Sequence, residues 1–158
     1  PTYLSEERHV EAGMGALLAG FPLFFGGIGS FFCGLFLPYL SRQIANVTLA
    51  RRLIAMSGSL GASLMFCLFP HIGNPVLGML ILGMASFGND LAMPPSWAAC
   101  MDVGGKFAGT LSGSMNMIGN FGAAVGALAI GYILRETNQN WNIIFYVSSV
   151  VYFIGFHS

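Results

Sequence analysis

The chain has 158 residues, of which 55% are hydrophobic and 8% are charged, and its mean hydropathy is +0.72. A soluble domain carries about 25% charged residues, so this composition indicates a membrane protein. The formal net charge is zero and the basic residues form no sustained run, so we expect no nucleic-acid partner.

Uncharged runs in the sequence identify the predicted membrane spans, because a helix needs about 20 residues to cross a bilayer. The turn sequence FPHIGNP splits one long run in two, since proline and glycine are typical of tight turns. We interpret the last apolar segment as a truncated span and the first four residues as the end of an earlier one. The sequence therefore predicts an all-α, polytopic membrane protein that is part of a larger transporter, with one half-domain over residues 1–158 and spans at 1–4 (in part), 12–38, 53–70, 75–98, 107–134 and 141–158.

The distribution of basic residues predicts the orientation of these spans. By the positive-inside rule, the side richer in Lys and Arg is cytoplasmic. One side of the predicted bundle collects most of the basic residues, whereas those on the other side are accompanied by acidic residues. We therefore expect the loops at 39–52 and 99–106 to be cytoplasmic, since they contain Arg42, Arg51, Arg52 and Lys106.

The stretch FGNDLAMPPSW places a carboxylate in an apolar run and follows it with two prolines. An acidic side chain in a span costs about 2.5 to 3.5 kcal/mol, so it normally faces the bundle interior or a watery cavity. Pro94 and Pro95 have no N–H, which frees the carbonyls of Asp90 and Leu91. We predict a span that bends or opens here and lines a pathway, with Asp90 and Asn89 as coupling or pathway residues. The alternative is that Asp90 pairs with a polar group on another helix and has a structural role.

A second polar set lies in the following span, in the sequence GTLSGSMNMIGNFG. Ser112, Asn116 and Asn120 are four residues apart, so a helix places them on one face. Asparagine amides in hydrocarbon require hydrogen-bond partners, and they can either join helices or hold a polar substrate. Because two amides on one face exceed what a single helix contact needs, we expect this stripe to bind substrate.

Glycine is abundant, with 22 residues, and recurs at helical spacing, as in Gly109 with Gly113 and Gly122 with Gly126. Small residues at this spacing let helices approach closely in a bilayer. These glycines therefore predict helix contacts. They also leave open an alternative function, that of a membrane assembly module that packs through glycine faces and transports nothing.

The sequence gives little support to an enzyme. Cys33, Cys67 and Cys100 are single and widely spaced, which fits neither a disulfide framework nor a metal site. The sequence offers no metal-ligand cluster and no pairing of a nucleophile with a base. We therefore expect no catalytic residues, no bound metal and no cofactor.

The run NDLAMPPSWAACMDVGGKFAGTLSGSMNMIGNFG resembles the tenth and eleventh spans of the anion:cation symporters of the major facilitator superfamily, which include hexuronate, glucarate, galactonate and phthalate permeases. PTYL resembles the outer end of the seventh span of these proteins, and WNIIFYVSSVVYFIG resembles the start of their twelfth. One departure is the inner loop after the eighth span, which here has no acidic residue between Gly34 and Arg52. The gating contacts usually assigned to that acid therefore lack a counterpart in this sequence.

The resemblance implies the C-terminal six-helix half of a twelve-span transporter that works by alternating access around a site near the bilayer midplane. It also implies positions at the substrate cavity for Ser96, Asn116 and Asn120, and a position near the outer mouth of the cavity for Tyr3. Asp102 and Lys106 are four residues apart in the short inner turn, where we expect an ion pair at a helix end.

These observations predict proton-coupled symport of an organic anion such as a sugar acid or a small carboxylate. No Lys or Arg lies within a predicted span, so we expect the counter-charge for the anion to come from an N-terminal half of the same transporter. The expected partners are the anion, a proton or other cation, the lipid bilayer and that N-terminal half. The expected location is the inner membrane of a bacterial cell.

Overall fold

The computed structural model of the chain describes residues 12–156, and every regular element in that range is helical. The short 3-10 turns Phe69–His71 and Gly105–Phe107 connect some of the long helices. The partial span predicted at residues 1–4 and the predicted site residue Tyr3 lie outside the described residues. The α-helices are α1 (Ala12–Ile44), α2 (Val47–Leu68), α3 (Pro75–Gly104), α4 (Ala108–Glu136) and α5 (Trp141–Phe156).

The helices begin and end where the local sequence provides caps. The Asn46 side chain accepts a hydrogen bond from the Leu49 N–H at 3.0 Å and caps α2. Asn74 caps α3 in the same way, and Pro75 takes the first position of that helix, where its missing N–H costs nothing. At the other end of α3, Gly105 has a φ of +48°, a conformation that glycine adopts without strain.

Length and hydropathy fit the helices to a bilayer. Three continuous stretches are long and apolar enough to cross a membrane, and they cover Leu17–Ile44, Val47–His71 and Pro75–Glu136. The last is 62 residues long and contains both α3 and α4. A shorter apolar helix covers Trp141–Gly155. The protein is therefore an all-α integral membrane protein, as its composition predicts.

Helix α3 lies between α1 and α2 and packs against both. On the α2 side, glycines meet at the crossing: a Cβ on Gly88 would lie 2.6 Å from the carbonyl oxygen of Gly58, and a Cβ on Gly58 would overlap the carbonyl oxygen of Gly88. On the α1 side, a Cβ on Gly29 would lie 2.5 Å from the carbonyl oxygen of Phe87. Glycine is required at these crossings because the backbones themselves are in contact.

Helix α5 is fixed to α2 by a pair of serines. The Ser63 hydroxyl donates to the carbonyl oxygen of Ser149, and the Ser149 hydroxyl donates to the carbonyl oxygen of Ser63, each at 2.8 Å. Interhelical hydrogen bonds in a membrane contribute about 0.6 kcal/mol on average and up to about 1.7 kcal/mol. The Phe69 and Phe145 rings, 4.2 Å apart between centroids, extend this contact into the turn after α2.

The structure places close glycine packing elsewhere than the sequence predicts. Within the described part of the chain, and apart from the chain neighbours and nearby backbone of α4 itself, no atom lies within 4 Å of a Cβ built on Gly109, Gly113, Gly122 or Gly126, all of which belong to α4. Most α4 side chains are exposed. The expected contacts of these four glycines are therefore absent from the helices of residues 12–156, and the glycines that do pack closely lie on α1, α2 and α3.

Helix α3 was predicted to bend or open at its prolines, and the structure shows that it does not open. The helix is continuous from Pro75 to Gly104, with Pro94 and Pro95 inside it. The prediction that the freed carbonyls need other partners is correct for one of them, because the Ser30 hydroxyl of α1 donates to the carbonyl oxygen of Asp90 at 3.3 Å. A neighbouring helix thus replaces the donor that Pro94 lacks, and the helix continues.

Candidate functional site

A groove between α3 and α4 contains the two predicted asparagines. Its volume is about 310 Å³. We call it the amide groove, and it is lined by Met93, Trp97, Met115, Asn116, Gly119 and Asn120.

A second groove, with a volume of about 340 Å³, lies between α2 and α3.

The two asparagines offer hydrogen-bonding groups to this groove. The Asn120 side chain donates through Nδ2 to the carbonyl oxygen of Asn116 at 2.8 Å, which occupies one of its two N–H donors. Within residues 12–156, the Asn116 side chain makes no hydrogen bond, and both residues are exposed. An amide donates through its nitrogen and accepts through its oxygen, so this pair can bind a carboxylate or a hydroxyl group.

Ser112 lies one turn before Asn116 on α4, but it does not line the amide groove. Its hydroxyl is 3.6 Å from the Cys100 sulfur, which belongs to α3. The structure therefore places Ser112 at a contact between two helices, and the expectation that it binds substrate remains a prediction.

Ser96 belongs to the second groove, which we call the basic groove. The Ser96 hydroxyl donates to the carbonyl oxygen of Ala92 at 3.0 Å, within its own helix. The structure thus separates Ser96 from Asn116 and Asn120, with which the family resemblance grouped it. The basic groove is lined by Thr48, Arg51, Arg52, Ala55, Pro95, Ser96, Ala99 and Asp102.

The ion pair expected between Asp102 and Lys106 is not present in the described structure. Asp102 instead pairs with Arg51 of α2, at 2.5 Å between Oδ2 and a guanidinium nitrogen. The Lys106 ammonium lies 5.2 Å from the centre of the Phe107 ring, in a cation–π contact. Asp102 pairs with Arg51 because the packing of α2 against α3 brings the two residues together, although 51 residues separate them in sequence.

Asp90 faces α1 and lies outside the lining of the amide groove. A Cβ on Gly26 of α1 would overlap the Asp90 carboxylate as it is placed here, so an alanine at this position would require the Asp90 side chain to move. The carboxylate oxygen Oδ1 accepts a hydrogen bond from the Asn89 side chain at 2.7 Å. Asp90 therefore has polar partners on its own helix and, through its backbone carbonyl, on α1.

Tyr152 was not predicted from the sequence, and it extends this polar cluster to α5. The Tyr152 hydroxyl donates to Oδ1 of Asn89 at 2.8 Å, and its ring stacks on Phe66 of α2 with the centroids 5.3 Å apart. Sequence spacing gives no signal for the contact, because 63 residues separate Tyr152 from Asn89. The packing of α5 against α2, which itself packs against α3, brings the two together.

Comparison with known proteins relates the chain to membrane transporters. A family model described as Major Facilitator Superfamily matches residues 1–127. A probable sulfoacetate transporter of Cupriavidus necator is 27% identical over 157 residues, which are 98% of this chain and 36% of that protein. A probable galactarate/D-glucarate transporter of Escherichia coli is 32% identical over 153 residues, which are 93% of this chain and 32% of that protein.

A plant protein is also similar. The chloroplastic ascorbate transporter of Arabidopsis thaliana is 23% identical over 155 residues, which are 98% of this chain and 28% of that protein. The chain spans about a third of the length of the curated relatives that it matches. No solved structure matches the chain significantly.

Proposed function

The chain belongs to the major facilitator superfamily, and we propose that it forms the C-terminal half of a secondary active transporter that takes up an organic anion together with protons. The observation that carries this proposal is the amide groove, in which Asn116 and Asn120 present polar groups beside the Trp97 ring. Polar side chains inside a membrane bundle usually mark a substrate pathway.

Sugar acids and small carboxylates or sulfonates fit the chemistry of this groove. Amide N–H groups can donate to the oxygens of a carboxylate or sulfonate, and amide oxygens can accept from sugar hydroxyls. The relatives named for sulfoacetate and for galactarate and D-glucarate support this class, because each of these compounds combines an acid group with a short carbon chain.

A second half of the transporter is needed to balance the charge of the substrate. None of the six described residues that line the amide groove is cationic. Amide donors alone leave a buried anion without a counter-charge, which is costly in a low-dielectric environment. We therefore propose that Lys or Arg residues of an N-terminal half complete the site, and that Asp90 takes part in proton coupling.

Uptake measurements test the proposed function. The full-length transporter that contains this chain is placed in energised vesicles with labelled galactarate, glucarate and sulfoacetate, with and without a proton gradient. We expect saturable uptake of at least one of these anions that increases several-fold when the gradient is present. If none accumulates above the level of empty vesicles, the proposal is wrong and an assembly module without transport becomes the better explanation.

The orientation of the chain can be tested independently. We propose that the loops at 39–52 and 99–106 face the cytoplasm, because they contain most of the basic residues. In a cysteine-free background, a cysteine at Lys106 should react with a membrane-impermeant maleimide in inside-out vesicles, and a cysteine at Asn138 should react only in right-side-out vesicles. The reverse pattern would show that the orientation is wrong.

A further inference from the structure

We propose that Tyr152 is a positioning residue for Asp90 that acts through Asn89, so that helix α5 controls the geometry of the coupling carboxylate. This inference rests on the proposed proton-coupled transport. It assigns a role to a residue on α5, a helix that contributes no residue to the amide groove.

Two hydrogen bonds in series connect the three side chains. Tyr152 donates to Oδ1 of Asn89 at 2.8 Å, and Asn89 donates through Nδ2 to Oδ1 of Asp90 at 2.7 Å. All three residues are partly buried. Because Asn89 has one oxygen and one NH₂ group, a donor that occupies the oxygen turns the NH₂ group toward the carboxylate.

The orientation of the Asn89 amide suits a hydrogen-bond acceptor at Asp90. A carboxylate accepts hydrogen bonds only, and the amide N–H supplies one. If the amide were rotated by half a turn, its oxygen would face Oδ1 of Asp90, and the two acceptors would repel each other. That rotated orientation becomes favourable once a proton binds Oδ1, because the acid then donates to the amide oxygen and the amide N–H donates to the Tyr152 oxygen. The Tyr152 hydroxyl has a hydrogen bond in both states.

The position of Tyr152 is held by contacts of its ring and of its helix with α2. Its ring stacks on Phe66, and the reciprocal hydrogen bonds of Ser63 and Ser149 hold α5 to α2 one turn away. A long side chain fixed at its ring loses little further freedom when its hydroxyl binds a partner. Movement of α5 relative to α3 would therefore break the hydrogen bond to Asn89.

Among the described residues, Tyr152 is the ionisable group that hydrogen bonds through Asn89 connect to Asp90. Helix α1 presents Gly26 and Ser30 to Asp90, and the buried thiol of Cys33 lies one turn further along the same face. Helix α2 meets α3 at the Gly58 crossing. In the described part of the chain, no Lys, Arg or His forms an ion pair with Asp90.

The test replaces Tyr152 by phenylalanine in the full-length transporter. Tyr152→Phe keeps the ring on Phe66 and removes the hydroxyl, so the Asn89 amide is no longer held toward Asp90. Because an amide donor stabilises the ionised carboxylate, we expect the pH of half-maximal uptake to rise by about 0.5 to 1 unit. KM for the anion should stay within about twofold, since the amide groove is unchanged.

Tyr146→Phe is the matched control. Tyr146 lies on the same helix, and its hydroxyl is 3.3 Å from Nε2 of His71. This variant also loses one phenolic hydroxyl, but it should keep the wild-type pH profile. If Tyr152→Phe has the same pH profile as Tyr146→Phe and the wild type, the proposal is overturned.

A double-variant cycle separates the proposed route from a general structural effect. Since Tyr152 acts through Asn89, adding Tyr152→Phe to Asn89→Leu should shift the pH profile no further than Asn89→Leu alone. Additive shifts would overturn the proposal.

The wild type itself distinguishes failure of this inference from failure of the proposed function. If the wild type takes up the anion without any dependence on pH, both proton coupling and this inference fail. If it takes up no anion, the proposed function itself fails.

Discussion

Replacing Asn116 by alanine should lower kcat/KM for anion uptake by about ten- to hundredfold in the full-length transporter. The Asn116 side chain is the amide of the groove that makes no hydrogen bond within residues 12–156, so it is available to a ligand. A hydrogen bond to a charged group contributes about 1.5 to 3 kcal/mol, and each 1.36 kcal/mol corresponds to a factor of ten. Initial uptake rates over a range of anion concentrations measure the effect.

The control for this variant is Asn142→Ala. Asn142 is an exposed asparagine at the start of α5 and lies outside the lining of both grooves. It should transport like the wild type when the rates are normalised to the amount of protein in the membrane. If Asn116→Ala also transports like the wild type, the asparagines are helix-packing residues and the amide groove is not the substrate site.

Replacing Gly88 by alanine should destabilise the helix bundle strongly. The new methyl group would lie 2.6 Å from the Gly58 carbonyl oxygen and 3.1 Å from the Ala62 nitrogen. Both contacts are to backbone atoms, so α2 and α3 would have to separate. Overpacking of this kind typically costs about 1 to 3 kcal/mol of folding free energy. The expected result is a clearly lower thermal unfolding midpoint in detergent.

Gly122→Ala is the matched glycine control. Apart from the local backbone of α4 and the chain neighbours, no described atom lies within 4 Å of a Cβ at this position, and alanine has the higher helix propensity. The unfolding midpoint of this variant should be equal to or above that of the wild type. A Gly88→Ala variant as stable as Gly122→Ala would show that the crossing of α2 and α3 is looser than the structure indicates.

The general fold could be predicted from sequence because a bilayer imposes simple rules. A low charge content and uncharged runs of about 20 residues or more indicate membrane helices, since lipid cannot hydrate charges or free backbone groups. The all-α fold class is confirmed, and the family resemblance carried by residues 89–122 is confirmed by the family model. Capping residues such as Asn74 act on N–H groups only a few positions away, so helix starts of this kind can also be predicted from sequence.

The structure brings together only some of the predicted site residues. Helical spacing correctly places Asn116 and Asn120 on one face, because four residues are about one helical turn. The same reasoning gave wrong partners for Asp102, because the choice between Lys106 and Arg51 depends on how α2 packs against α3. The local effect of Pro94 was also overestimated, since a hydroxyl from α1 replaces the lost donor.

The membrane environment, the helical class and the polar residues inside the helices can be predicted from sequence, because they depend on composition and on neighbours within one or two turns. Which polar groups meet depends on how the helices pack. Tyr152 reaches Asn89, and Ser30 reaches the Asp90 carbonyl, across 63 and 60 residues of sequence. Such contacts depend on the crossings of whole helices, which close glycine packing at Gly29, Gly58 and Gly88 makes possible.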